Sequence, residues 1–129
     1  MFVNKALVSF YSKRQNTVET STFGSELVAL RQATEMIDAL RYKLRMFGVP
    51  IEGPTNVFCD NESVVKNTSA PESVLKKKHN AVSYHRVREA VASSTLRIAH
   101  EPGDTNLADI LTKAMPGPKL KYLCGHIFY

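Results

Sequence analysis

Apolar and polar positions change period several times along the chain, and each change predicts an element. Over residues 6–11 the two kinds alternate loosely, with Ala6, Val8 and Phe10 on one face. A basic turn, Ser12-Lys13-Arg14-Gln15-Asn16, then leads into a second extended piece, Thr17-Val18-Glu19-Thr20, so the stretch reads as a β-hairpin. Ser21 and Thr22 offer N-cap chemistry to a long segment in which Leu27, Leu30, Ala33, Ile37, Leu40, Leu44 and Phe47 recur every three or four residues. That spacing predicts the strongest helix of the chain, ended by Gly48 and Pro50. Val57-Phe58-Cys59 is a short apolar run, entered from a Pro/Gly turn and followed by polar helix starters, which marks a buried strand with Asp60 at its carboxyl end.

Beyond it the pattern predicts a short helix over 63–67, a basic loop Lys76-Lys77-Lys78-His79, a helix over 82–91 and an alternating strand over 95–100. Glu101-Pro102-Gly103-Asp104 reads as a turn, and 106–113 as a short helix stopped by Pro116-Gly117-Pro118. Residues 119–129 are apolar and basic without a clear period. Strands alternating with helices in this order predict a single α/β sheet domain over 1–115, followed by a tail over 116–129. The 129 residues, 43% of them apolar, are enough for one core.

Seventeen lysines and arginines against twelve acids give a formal charge of +5. That excess suits a polyanionic partner as well as it suits an ordinary basic surface. Cys59 and Cys124 supply no metal-knuckle spacing and no disulfide framework, which favours an intracellular setting, cytoplasm or nucleus. Lys5 interrupts the opening apolar stretch, which makes it a poor signal peptide. Nothing approaches the roughly 20 apolar residues that span a bilayer, so no membrane association is expected.

Three carboxylates stand out by location. Glu26 lies early in the long helix on the face shared by positions 30, 33 and 37; Asp60 ends a buried strand, where ligands gather in open α/β sheets; Asp109 sits between Ala108 and Ile110. Acids in apolar surroundings are costly unless something positive compensates them. Mg²⁺ does so through oxygen ligands, and two such ions about 4 Å apart activate a water and stabilise a leaving phosphodiester oxygen. Each acid also has a purely structural explanation. Glu26 sits near the positive end of a helix, Asp60 precedes a helix it can cap, and Asp109 can face solvent. The basic run Lys76, Lys77, Lys78 and His79, with His85, Arg86 and Arg88 beyond it, suits phosphate oxygens and equally suits a solvated surface.

The chain resembles the ribonuclease H domain at the end of the polyprotein of copia-type retrotransposons. The resemblance is carried by Ser12-Lys13-Arg14-Gln15-Asn16-Thr17-Val18, Ser21-Thr22-Phe23-Gly24-Ser25-Glu26-Leu27-Val28-Ala29-Leu30 and Phe58-Cys59-Asp60-Asn61-Glu62-Ser63. Lys78-His79, Tyr84-His85-Arg86-Val87-Arg88-Glu89 and Leu107-Ala108-Asp109-Ile110-Leu111-Thr112-Lys113 follow in the same order. It implies a ribonuclease H-like mixed sheet flanked by helices, and cleavage of the RNA strand of RNA/DNA hybrids by two Mg²⁺ (or Mn²⁺) ions. It further implies Glu26, Asp60 and Asp109 as three of four metal-binding carboxylates. Lys76, Lys77, Lys78, His79 and Arg86 would contact nucleic acid, and the rest of a reverse transcriptase polyprotein would be a partner.

The family's fourth carboxylate lies on a strand before the hairpin, whereas here the first aspartate is Asp38, in the middle of the long helix. The expectation is therefore a domain truncated at its amino end, showing little or no cleavage alone. Asn80 stands where family members often carry an acid-containing segment, and His100 falls near the place of a mobile histidine in other ribonucleases H. The alternative function is a non-catalytic module of the same fold that binds nucleic acid or a protein partner. A transposase or integrase core fits less well, because those sites end on a glutamate where this chain has Asp109.

Overall fold

The computed structural model describes residues 1–15, 21–75 and 78–128, and the backbone alone at His79. In chain order the elements are β1 (Phe2–Val3), β2 (Ala6–Leu7), α1 (Thr22–Met46), β3 (Thr55–Cys59), α2 (Glu62–Ser69), α3 (Ala81–Ala92), β4 (Leu96–His100) and α4 (Gly117–Cys124). They fall into two compact units, one within 18–101 and one made of 1–17 with 102–129. The α/β class expected from the sequence is observed, and the elements are compatible with a ribonuclease H-like arrangement.

In the unit within 18–101, Ser21 Oγ accepts the Gly24 N–H at 3.3 Å and starts α1. The helix stops 25 residues later in a Schellman turn: Val49 N–H donates to Leu44 O at 3.0 Å and Gly48 N–H to Arg45 O at 2.9 Å. Gly48 sits at φ +74°, a conformation side chains disfavour, and Pro50 prevents continuation. Between these ends the buried stripe is Gly24, Leu27, Leu30, Thr34 and Ile37, while Leu40 and Leu44 are half-buried and Phe47 is exposed. The sequence period therefore marks the helix correctly but overstates how far its apolar face is covered.

β3 and β4 pair in parallel, Thr55 opposite Leu96 through to Cys59 opposite His100. A parallel pair needs a crossover, and α2 and α3 supply it. The core beneath them joins Leu27 and Leu30 of α1, Cys59 of β3, Val64 of α2, Tyr84 and Val87 of α3, and Ile98 of β4. Arg41 ties α1 to the start of β3, donating to Thr55 Oγ1 at 2.9 Å and Gly53 O at 3.1 Å. Arg88 closes the loop before α3: its guanidinium donates to Pro71 O and Ser73 O, each at 2.6 Å, and stacks on the Tyr84 ring. Asn61, and not Asp60, caps α2, its Oδ1 accepting the Val64 N–H at 3.2 Å. Asn61→Ala is accordingly expected to cost about 1 kcal/mol in urea unfolding.

In the other unit the hairpin pairs only the start of the stretch that the alternation marks, Ala6–Leu7, and its partner is Phe2–Val3 upstream, not a strand beyond the basic turn. Val3 pairs with Ala6 across a turn in which Asn4 takes φ +55°, one of the few residue types at ease there. Residues 8–15 form no strand, and the expected second strand over 17–20 lies outside the described residues. Segment 106–113 forms a 3₁₀ turn over Leu107–Leu111, with Asn106 Oδ1 accepting the Ala108 N–H at 3.1 Å. The aperiodic end of the chain contains α4, started by Pro118 in its first turn and anchored by the buried Leu123.

Candidate metal centre

Asp60 leaves the carboxyl end of β3 just before α2 begins, so its carboxylate projects from the edge of the parallel pair. Glu26 comes from the second turn of α1; with Ser21 as the N-cap and Thr22 as the first helical residue, no acid occupies the first turn. The helix-end explanation of Glu26 is weaker for that reason, because the macrodipole effect fades beyond the terminal turn. The capping explanation of Asp60 also fails, since Asn61 does that work.

One ligand atom each from Glu26, Cys59 and Asp60 lies within 4.8 Å of the others. The two acids are half-buried and Cys59 is buried. Burial pushes the Cys59 thiol up from its ordinary range, the contact with Asn61 O at 3.9 Å opposes this, and the charges of Glu26 and Asp60 add to the rise. The reciprocal reading is that the two carboxylates put enough negative charge beside the sulfur to disfavour a further anion unless a cation joins them. Oxygen donors from a helix and a strand end fit a hard divalent cation of the Mg²⁺ or Mn²⁺ kind. Sequence reasoning missed Cys59 as a member of the group. The signal was its place next to Asp60 at a strand end, read there only as apolar filling.

Asp109 belongs to the other unit. It is buried, 6% exposed, which removes the solvent-facing explanation, and Lys113 Nζ meets its carboxylate at 2.9 Å. Here the compensation a buried acid requires is supplied at least in part by a side chain one turn away.

Of the expected nucleic-acid contacts, Lys76 and Lys77 and the side chain of His79 lie outside the described residues. Lys78 is exposed in a 3₁₀ turn that leads into α3. Arg86 is engaged: its guanidinium pairs with Asp38 of α1 and reaches Glu89 at 3.6 Å. It clamps α3 to α1, and Asp38, mid-helix as expected, is its partner. Asn80 is buried at the N-cap of α3 without a capping bond, and its amide nitrogen has no hydrogen-bond partner among the described residues. His100 is exposed at the end of β4, opposite Cys59. No helix among the described residues is long and apolar enough to cross a membrane.

A mixed α/β chain that gathers carboxylates at a strand end is the class these features define. The chain is 30% identical over 120 residues, 93% of its length, to the retrovirus-related Pol polyprotein from transposon TNT 1-94 of Nicotiana tabacum. It is 29% identical over 108 residues, 84% of its length, to the retrovirus-related Pol polyproteins from transposons RE1 and RE2 of Arabidopsis thaliana. The chain spans only 7% to 9% of the length of these relatives. No family model matches, and no solved structure matches.

Proposed function

We propose that the chain is a ribonuclease H-like segment of a copia-type retroelement polyprotein, acting on the RNA strand of RNA/DNA hybrids. The observation that carries this reading is the meeting of Glu26 and Asp60, from a helix and a strand end, within 4.8 Å. The similarity to Pol polyproteins supports the retroelement origin. In this reading Glu26 and Asp60 hold Mg²⁺ or Mn²⁺. Bound metal supplies Lewis acidity toward a phosphodiester oxygen and lowers the pKa of a water. The protein's own part is to fix carboxylate oxygens at the end of β3, with Leu27 and Leu30 holding α1 against the sheet so that Glu26 keeps its position.

The test is a gel assay on an RNA/DNA hybrid labelled on either strand, with the chain alone and with an upstream extension supplying one aspartate. Mg²⁺-dependent cutting of the RNA strand, strongest in the extended chain and absent with EDTA, is the expected result. Tight hybrid binding without cutting by either protein would favour the non-catalytic module, a reading to which the Asp109–Lys113 ion pair lends weight.

Lys76, Lys77 and Lys78 are proposed to track phosphate, while Arg86, held by Asp38, serves the fold first. Replacing the three lysines with alanine is expected to weaken hybrid binding and flatten its salt slope by up to about 0.7–0.9 for each phosphate no longer neutralised. Fluorescence anisotropy at several salt concentrations measures it, and an unchanged slope would make the run an ordinary solvated surface.

A further inference from the structure

We propose that Cys59 turns the Glu26–Asp60 pair into a mixed thiolate and carboxylate site that takes one thiophilic divalent cation, of the Zn²⁺ class, in competition with Mg²⁺. The inference rests on the metal-centre reading above but goes beyond it in donor set, metal class and consequence.

The geometry is that of three donors from separate residues, one of them sulfur, with all ligand atoms within 4.8 Å of one another. In a tetrahedral site, metal–sulfur bonds of about 2.3 Å and metal–oxygen bonds of about 2.0–2.2 Å bring ligands to separations of roughly 3.5 Å. A closure of about 1 Å, by side-chain rotation of the two half-buried acids out of their present interactions, would complete the shell. Cys59 belongs to the same buried cluster as Leu27, Val64 and Ile98. Its sulfur is a pre-set donor, and the carboxylates move to it.

Donor chemistry then decides which cation wins. Mg²⁺ demands oxygen and near-octahedral geometry and gains nothing from sulfur. Zn²⁺ and Cd²⁺ gain a strong soft ligand and accept three protein donors with one position left open. When such an ion binds, the metal–sulfur bond forms, the sulfur–hydrogen bond breaks, and the proton leaves to solvent with no change of oxidation state. A tightly held ion of this kind occupies the carboxylate oxygens that Mg²⁺ needs. Zn²⁺ is thus expected to inhibit any Mg²⁺-dependent activity of the site, and Cys59→Ser to relieve the inhibition.

The probe is Cd²⁺, titrated into the full 129-residue chain carrying Cys124→Ser so that one thiol remains. The ultraviolet thiolate-to-cadmium charge-transfer band is expected to saturate at one ion per chain and to be absent in Cys59→Ser. Its affinity is expected to fall by about tenfold or more in Glu26→Gln and in Asp60→Asn, with circular dichroism unchanged. The two acid variants decide the matter if Cys59→Ser does not fold. Absence of the band, or a band whose affinity is the same in both acid variants as in the parent chain, would overturn the proposal. Hybrid cleavage in Mg²⁺ would be untouched by that outcome, so failure here and failure of the nuclease reading are told apart.

Discussion

Asp60→Asn is expected to abolish Mg²⁺-dependent cleavage of the RNA strand by the extended chain, a loss on the order of a hundredfold or more in rate, while the fold is kept. Asparagine preserves volume and one oxygen but removes the charge that a divalent cation is held by. Asp60 caps no helix, since Asn61 takes that role, so the substitution leaves the start of α2 intact. Gel electrophoresis of the cleaved hybrid, with circular dichroism of each variant, makes the comparison. Cutting that persists in Asp60→Asn would mean that the chemistry lies elsewhere.

Leu27→Ala is expected to have the largest effect on stability, about 3 kcal/mol, because Leu27 is fully buried where α1 meets β3, α2 and α3. In a chain of this size that lowers Tm by roughly 10 °C. Urea unfolding should show a lower midpoint at unchanged slope. The neighbouring Glu26 depends on the same packing, so metal affinity should weaken in parallel even though no ligand is changed. A stability change under about 1 kcal/mol would show that this core is looser than its burial implies.

How much of this was legible in the sequence depended on the range of the forces involved. α1, β3, α2, α3 and β4 were legible because each has a strong local period or a strong stop signal. Gly48 and Pro50 end α1 within the residues that the sequence marks. The hairpin was misplaced because two residues in each strand carry almost no periodic signal, and the positive φ of Asn4, not alternation, sets the turn. α4 was invisible for a related reason. Eight residues buried through Leu123 alone leave no stripe to read.

For the site, chain order indicated Glu26 and Asp60, but local reasoning could not see that Cys59 shares their cradle, since that follows from where α1 packs on the strand end. Nor could it foresee the partners of two other residues. Asp109 is met by Lys113, and Arg86 by an aspartate 48 residues away.

The central claim is that Glu26 and Asp60 form a divalent-cation centre, and Mn²⁺ binding tests it most directly because it needs no substrate and no cleavage. Electron paramagnetic resonance of free Mn²⁺, titrated against the 129-residue chain, is expected to show specific binding that falls by about tenfold or more in both Glu26→Gln and Asp60→Asn. Glu52→Gln, a change at an exposed acid outside the cluster, should leave it unaltered. Equal Mn²⁺ affinity in all four proteins would contradict the account.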